Sequence, residues 1–138
     1  MILIDMNQIT IAGIMAESKG KPVYDENLIR HIILNTLRTI KQKQSATYGE
    51  MILCYDGQNS WRREVYKYYK SNRKKNRDSS DFDWKKLFDF LTAVREEMKE
   101  FMPYRVLHLP NCEADDLIAV VCKNYAGGEP IQIGRAHV

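Results

Sequence analysis

Five carboxylates stand out in this 138-residue sequence because of where they fall. Asp5 closes the apolar run Ile2-Leu3-Ile4, and Asp56 closes Met51-Ile52-Leu53-Cys54-Tyr55. The other three crowd into the run Glu113-Ala114-Asp115-Asp116. Singly, each has an ordinary explanation. Acids in a helix's first turn complement its macrodipole, Asp56-Gly57 is a common turn pair, and an acid after a strand can face water. Gathered in one place, they repel unless something positive sits among them. Hard divalent cations answer that need. Mg²⁺ takes carboxylate and water oxygens and keeps positions open for substrate phosphates. Two such ions about 4 Å apart can activate a water and stabilise the leaving oxygen of a phosphodiester. No competing chemistry is legible: His31, His108 and His137 are scattered, and there is neither a Walker-type glycine loop nor a serine nucleophile elbow.

A second feature complements the acids. Between Trp61 and Arg77 lie Arg62, Arg63, Lys67, Lys70, Arg73, Lys74, Lys75 and Arg77 against one acid, Glu64. That window carries +7 of a total of only +3, so the remainder carries −4. Trp61, Tyr66, Tyr68 and Tyr69 are interleaved with the basic residues. Cations that track phosphates beside rings that stack on bases suit single-stranded nucleic acid. A solvated basic helix or a loop is the plainer alternative.

These residues need a scaffold, and the periodicity supplies one. Residues 1–5, 51–55, 105–109 and 130–133 read as strands. Leu28, Ile29, Ile32, Ile33, Leu37 and Ile40 recur at helical spacing behind the N-cap candidate Asp25. Trp84, Leu87, Phe88, Leu91, Val94, Met98 and Phe101 form the strongest amphipathic helix, stopped by Pro103. A further helix runs from Glu113 to Tyr125 and buries Ala114, Leu117, Ile118, Val121 and Cys122, with Gly127-Gly128 as its stop. Residues 61–75 lack Gly and Pro and read as a helix projecting from the body, followed by a flexible connection over 76–83. Residues 6–24 receive no assignment. Strands alternating with helices imply a parallel sheet with right-handed crossovers, an α/β fold. Its ligands belong at the carboxyl ends of the strands, where all five acids fall.

The composition agrees with one ordinary domain. Apolar residues make up 44%, enough for a core without staples. Three cysteines (Cys54, Cys112, Cys122) form no CxxC pair, which argues against a disulfide framework and a zinc ribbon. No apolar run approaches the roughly 20 residues of a membrane span, and Asp5 interrupts any signal-peptide core. A soluble, intracellular, reduced protein with no membrane contact is expected.

At these residues the sequence resembles the phage 5′-nuclease family of flap-endonuclease-like enzymes, and within it the T-even phage ribonuclease H branch. The likeness is carried by Ile2-Leu3-Ile4-Asp5 with Gln8 and Ile9, by Arg30-His31-Ile32-Ile33-Leu34-Asn35 and by Leu53-Cys54-Tyr55-Asp56. Further matches are Trp61-Arg62-Arg63, Tyr68-Tyr69-Lys70, Asn72-Arg73, Met102-Pro103-Tyr104, and Glu113-Ala114-Asp115-Asp116 with Ile118-Ala119-Val120. The resemblance implies a PIN/5′-nuclease-like layered fold, with a mostly parallel central sheet, helices on both faces and a projecting basic arch at about 61–83. It implies a 5′-to-3′ exonuclease and flap endonuclease that removes RNA primers and adjacent DNA in phage lagging-strand replication. By the same resemblance Asp5, Asp56, Glu113, Asp115 and Asp116 match the Mg²⁺-binding acids of an enzyme that holds two ions when complete, with Mn²⁺ as a substitute; here the second ion lacks its expected ligands. Arg62 and Lys70 would bind the scissile phosphate, and Tyr69 would stack on a base. Arg63, Lys67, Arg73 and Lys74 complete the expected nucleic-acid surface. Implied partners are DNA and RNA–DNA hybrids with 5′ ends or flaps, and a phage single-strand-binding protein. The implied setting is a monomer in the cytoplasm of an infected bacterium.

The pattern breaks near the end. The family's further aspartate pair is missing after Ile131-Gln132-Ile133, and Ile133 to Val138 coincide with a translation of a common sequencing-adapter oligonucleotide. The expectation is therefore an N-terminal part of the catalytic domain over 1–133, truncated after the fourth strand, with a non-native tail over 134–138. Such a chain is expected to be weakly active or inactive. Two other readings fit the acids: a PIN-type endoribonuclease, against which the 61–77 segment argues, and a non-catalytic nucleic-acid-binding module.

Overall fold

The computed structural model describes residues 1–19, 25–78, 83–125 and 127–134. In chain order they form β1 (Ile2–Asp5), α1 (Met6–Ser18), α2 (Glu26–Tyr48), β2 (Met51–Tyr55), α3 (Arg62–Val65) and α4 (Ser71–Asp78). Then come α5 (Trp84–Phe101), β3 (Arg105–His108), α6 (Ala114–Tyr125) and β4 (Gln132–Gly134). The strands make one parallel sheet in the order β3-β2-β1-β4. Its register sets Asp5 against Cys54 and Tyr55 against His108, so β1, β2 and β3 finish at one edge.

Period-two alternation divides the sheet between two cores. Ile2 and Ile4 with Met51, Leu53 and Tyr55 face α1, α2 and α5, where Ile14, Ile29, Ile33, Leu37, Leu87, Val94 and Met98 bury against them. Leu3 and Cys54 face the other way, onto Ala114, Leu117, Ile118 and Val121 of α6. Helices therefore cover both faces, as expected. Burying a side chain such as Ile4 or Leu53 stabilises the fold by roughly 1.5–3 kcal/mol. Leu28, which shares the helical spacing of the α2 core residues, lies 40% exposed, because the buried stripe is Ile29, Ile32, Ile33 and Leu37.

The helix ends follow from local chemistry. The Asp25 carboxylate accepts from the N–H groups of Asn27 and Leu28 at 3.0 and 3.3 Å, filling two donors that the first turn leaves open. Met102 turns extended ahead of Pro103, which ends α5.

The unassigned stretch after Asp5 contains α1, entered directly from β1 and capped by Asp5 itself, which accepts from Gln8 N–H at 3.2 Å. Its buried residues Met6, Thr10 and Ile14 include a threonine, and Ile9 and Ile11 are only half-buried, so no single apolar stripe announces it. The expected single helix over 61–75 is corrected: it is two short helices, α3 and α4, neither with a buried residue. Tyr66 is extended (φ −135°) and Lys70 takes a left-handed backbone (φ 52°), which breaks the helix between them. Asn76 to Asp78, assigned to a flexible connection, complete α4, and Asp83 caps α5 by accepting from Lys86 N–H. The rest of that connection, 79–82, lies outside the described residues. Gly134, assigned to the tail, closes β4 opposite Ile4, and 135–138 lie outside the described residues.

Candidate active site

Asp5 ends β1 almost wholly buried, at 3% exposure. Asp56 follows β2 and is exposed. Two contacts hold it: its backbone N–H donates to the Asn7 side-chain oxygen at 3.0 Å, and its carboxylate accepts from Ala114 N–H at 2.7 Å. The second bond fills an open donor at the N-terminus of α6, where the helix dipole also favours a negative charge. Asp56 thereby ties the end of β2 to the helix that carries the remaining acids.

Glu113 precedes α6, and Asp115 and Asp116 occupy its first turn. Their neighbourhood is built by a close seam between two loops. Gly57 N–H donates to the Cys112 carbonyl at 2.7 Å, Trp61 N–H to the Asn111 carbonyl at 2.9 Å, and Asn111 N–H to the Gln58 carbonyl at 2.8 Å. Asn59 and Asn111 adopt left-handed backbones (φ 56° and 65°), a conformation asparagine tolerates better than most residues. At Gly57 a Cβ would lie 1.9 Å from the Leu109 carbonyl oxygen, so only glycine lets the loops meet.

That seam delivers the basic segment onto the acids. The Arg62 guanidinium grips Asp116 with two nitrogens, at 2.7 and 3.0 Å, and also reaches Glu113 at 2.5 Å. Lys70 Nζ bonds Glu113 at 2.5 Å, the Tyr69 hydroxyl donates to it at 3.1 Å, and Trp61 Nε1–H donates to Asp116 at 3.1 Å. The Arg62 guanidinium also lies over the Trp61 ring, 4.7 Å from its centroid. Burial works against the ionisation of Glu113, yet the bonds from Lys70 and Tyr69 and the charges of Lys70 and Arg62 hold its pKa below the ordinary glutamate value. The Arg62 hydrogen bond likewise holds Asp116 below the aspartate range, against burial.

Beside this cluster opens a cleft of about 490 Å³. Asp56, Glu113, Arg63, Tyr69, Lys70 and Arg73 line one part of it. Arg77, Phe88, Arg95 and His108 line another, with the Arg77 guanidinium 5.4 Å over the Phe88 ring. Burial and the nearby Arg95 push the His108 pKa down.

The expected site residues thus divide. All five acids lie at the carboxyl edge of the sheet, but among the described residues no three Asp, Glu, His or Cys side chains are arranged to hold a metal ion. Of the expected nucleic-acid surface, Arg63, Tyr69, Lys70 and Arg73 line the cleft, Arg62 is turned to α6, and Lys67 and Lys74 are exposed without lining the cleft. Sequence reading missed Asn7, Arg95 and His108 as cleft residues; Asn7 lies two residues after Asp5, but nothing local marks Arg95 or His108. All three cysteines are free, and burial beside Asp5 pushes the Cys54 thiol up to about 12.

Residues 2–134 match the family model of the 5′-3′ exonuclease N-terminal resolvase-like domain. The chain belongs to that family. The chain is 36% identical over 127 residues to ribonuclease H of Enterobacteria phage T4, covering 90% of the chain and 42% of the relative. The chain therefore spans less than half the length of that relative. Its fold is shared with the 5′-exonuclease of phage T5 bound to divalent zinc ions (TM-score 0.70, 17% identity, 96% of this chain and 47% of that one). It is also shared with the bacteriophage T5 flap endonuclease in a pseudo-enzyme–product complex with DNA and metal ions (TM-score 0.72, 20% identity, 96% and 47%). No helix among the described residues is long and apolar enough to cross a membrane.

Proposed function

We propose that this chain serves divalent-metal-dependent hydrolysis of phosphodiesters at the 5′ ends and flaps of DNA and RNA–DNA hybrids. The observation that carries the reading is the meeting at one sheet edge of two opposite sets of groups. Asp5, Asp56 and the α6 acids come from the strands and helix, and Arg62, Tyr69 and Lys70 come from a segment with no core role. The donor chemistry fits Mg²⁺, a hard cation that prefers carboxylate oxygen. Asp5, Asp56, Glu113, Asp115 and Asp116 would hold it, with Mn²⁺ as a substitute. When bound, such an ion lowers the pKa of water and offsets the charge of a phosphodiester undergoing displacement.

The protein's own groups supply the rest. Arg62 and Lys70 take the scissile phosphate, as a fork and a point charge respectively. Tyr69, beside Lys70, stacks on a base, and Arg63 and Arg73 carry the strand along the cleft. Asn7 and Ala114 N–H fix the orientation of Asp56 before substrate arrives, which limits reorganisation during the reaction. The reading places the domain in primer removal in the cytoplasm of an infected bacterium, acting as a monomer, with a phage single-strand-binding protein as a further partner.

The test uses the protein encoded by the source gene, a labelled 5′-flap duplex and an unstructured RNA of equal length. Metal-dependent cutting of the flap from its 5′ end is expected. Preferential cutting of the RNA with no regard for a 5′ end would replace this reading with a PIN-type endoribonuclease. Salt-sensitive binding without cutting would leave a nucleic-acid-binding module.

A further inference from the structure

Each of the four carboxylate oxygens of Glu113 and Asp116 accepts at least one protein donor. Glu113 Oε1 accepts from Lys70, and Oε2 from Arg62 and Tyr69. Asp116 Oδ1 accepts from Arg62, and Oδ2 accepts from Arg62, Trp61 and the Glu113 backbone N–H. The pairs are largely shielded: the side chains are 13% exposed at Glu113, 20% at Asp116, 27% at Arg62 and 32% at Lys70. Two cations and two anions form a neutral cluster in which every carboxylate oxygen already accepts at least one protein donor.

A divalent cation at these acids and a phosphate at Arg62 and Lys70 both need the same ion pairs broken. Whichever arrives first bears the cost of separating them, and the second finds its partners already released. We infer that Arg62, Tyr69 and Lys70, with Trp61, form a latch on Glu113 and Asp116 that makes divalent-cation binding and nucleic-acid phosphate binding positively coupled. Linkage requires the coupling to be equal in both directions. The latch thereby disfavours a loaded metal centre in the absence of a substrate strand. This inference rests on the carboxylate–metal reading above and adds its regulation.

The test titrates the chain with Ca²⁺ by calorimetry, with and without a saturating phosphorothioate oligonucleotide. Trp61→Phe removes a neutral donor and leaves every charge in place, so a change in Ca²⁺ affinity there reports the latch and not a lost positive charge. Trp61→Phe is expected to tighten Ca²⁺ severalfold, and Arg62→Ala about tenfold, within the usual span of coupling between sites. The oligonucleotide should tighten Ca²⁺ in the unaltered chain and much less in Arg62→Ala. A measurement without disruption of the cluster uses Trp84→Phe, which leaves Trp61 as the sole tryptophan. Its emission should change with the calorimetric midpoint as Ca²⁺ releases the indole from Asp116. If Ca²⁺ binds and Glu113→Gln weakens it, while Trp61→Phe leaves the affinity unchanged and Trp61 emission stays still, the latch is wrong and the metal reading stands. If no form binds Ca²⁺, the metal reading falls and the latch with it.

Discussion

Lys70 and Arg62 reach the same carboxylate, Glu113, but by different means. Arg62 also forks onto Asp116 and is braced by the Trp61 ring, whereas Lys70 is a single ammonium at a left-handed residue. A point charge with that freedom can follow charge as it develops on a phosphate. Lys70→Ala is therefore expected to lower the single-turnover cleavage rate by about 10²-fold and nucleic-acid affinity by much less, the pattern of a contact that strengthens in the transition state. A loss confined to affinity would make Lys70 a positioning residue. The identity of these residues was legible in the sequence, from the charge window and from the resemblance. Their partners were not, because the pairing of Arg62 with Asp116 spans 54 positions and depends on two loops meeting.

Those loops meet at Gly57. Its missing side chain is what lets the β2 end approach Leu109 and Cys112, and the obstructing atoms are backbone, with no rotamer to change. Gly57→Ala is expected to cost about 3 kcal/mol, the upper end of overpacking penalties, read as a lower denaturation midpoint in urea. On the opposite face, Arg30 of α2 bonds Glu97 of α5 and Glu26 of its own helix. The Arg30 hydrogen bond holds the Glu97 pKa below its ordinary value. A depressed folded-state pKa contributes stability that is present above the unfolded glutamate value, about 4.3, and lost as pH falls through the folded one. Between pH 6 and pH 3 the unaltered chain should lose more stability than Glu97→Gln in matched melts; equal losses would show the bond to be inert. Among the elements legible in the sequence, β1 and β2 bury continuous apolar runs and α2, α5 and α6 bury apolar stripes, while β3 and β4 are short and contain no buried residue. Sequence reading missed α1, whose buried face includes Thr10, and joined α3 to α4 because no Gly or Pro marks their division. That division lies in the extended Tyr66 and left-handed Lys70 backbones, which no local periodicity encodes.

The whole molecule is nearly neutral yet strongly dipolar, with +7 in the segment from Trp61 to Arg77 and −4 elsewhere. A strand that meets the basic side releases counterions for each phosphate it pairs. The log–log slope of affinity against salt for a single strand should fall by about 0.7 when Arg73, a cleft residue, is replaced by alanine. An unchanged slope would place the strand elsewhere. The same dipole sets acids and bases against each other at one sheet edge, and there the functional reading is decided. The most direct measurement is single-turnover cleavage of a 5′-flap duplex by the source gene's protein across a Mg²⁺ titration, beside Asp56→Asn. The asparagine keeps an oxygen for Ala114 N–H and so preserves the fold, but it removes the charge. Cleavage that rises with Mg²⁺ and drops roughly 10²-fold or more in Asp56→Asn, with binding retained, is expected. Equal cleavage by both proteins would remove the carboxylate edge from the chemistry.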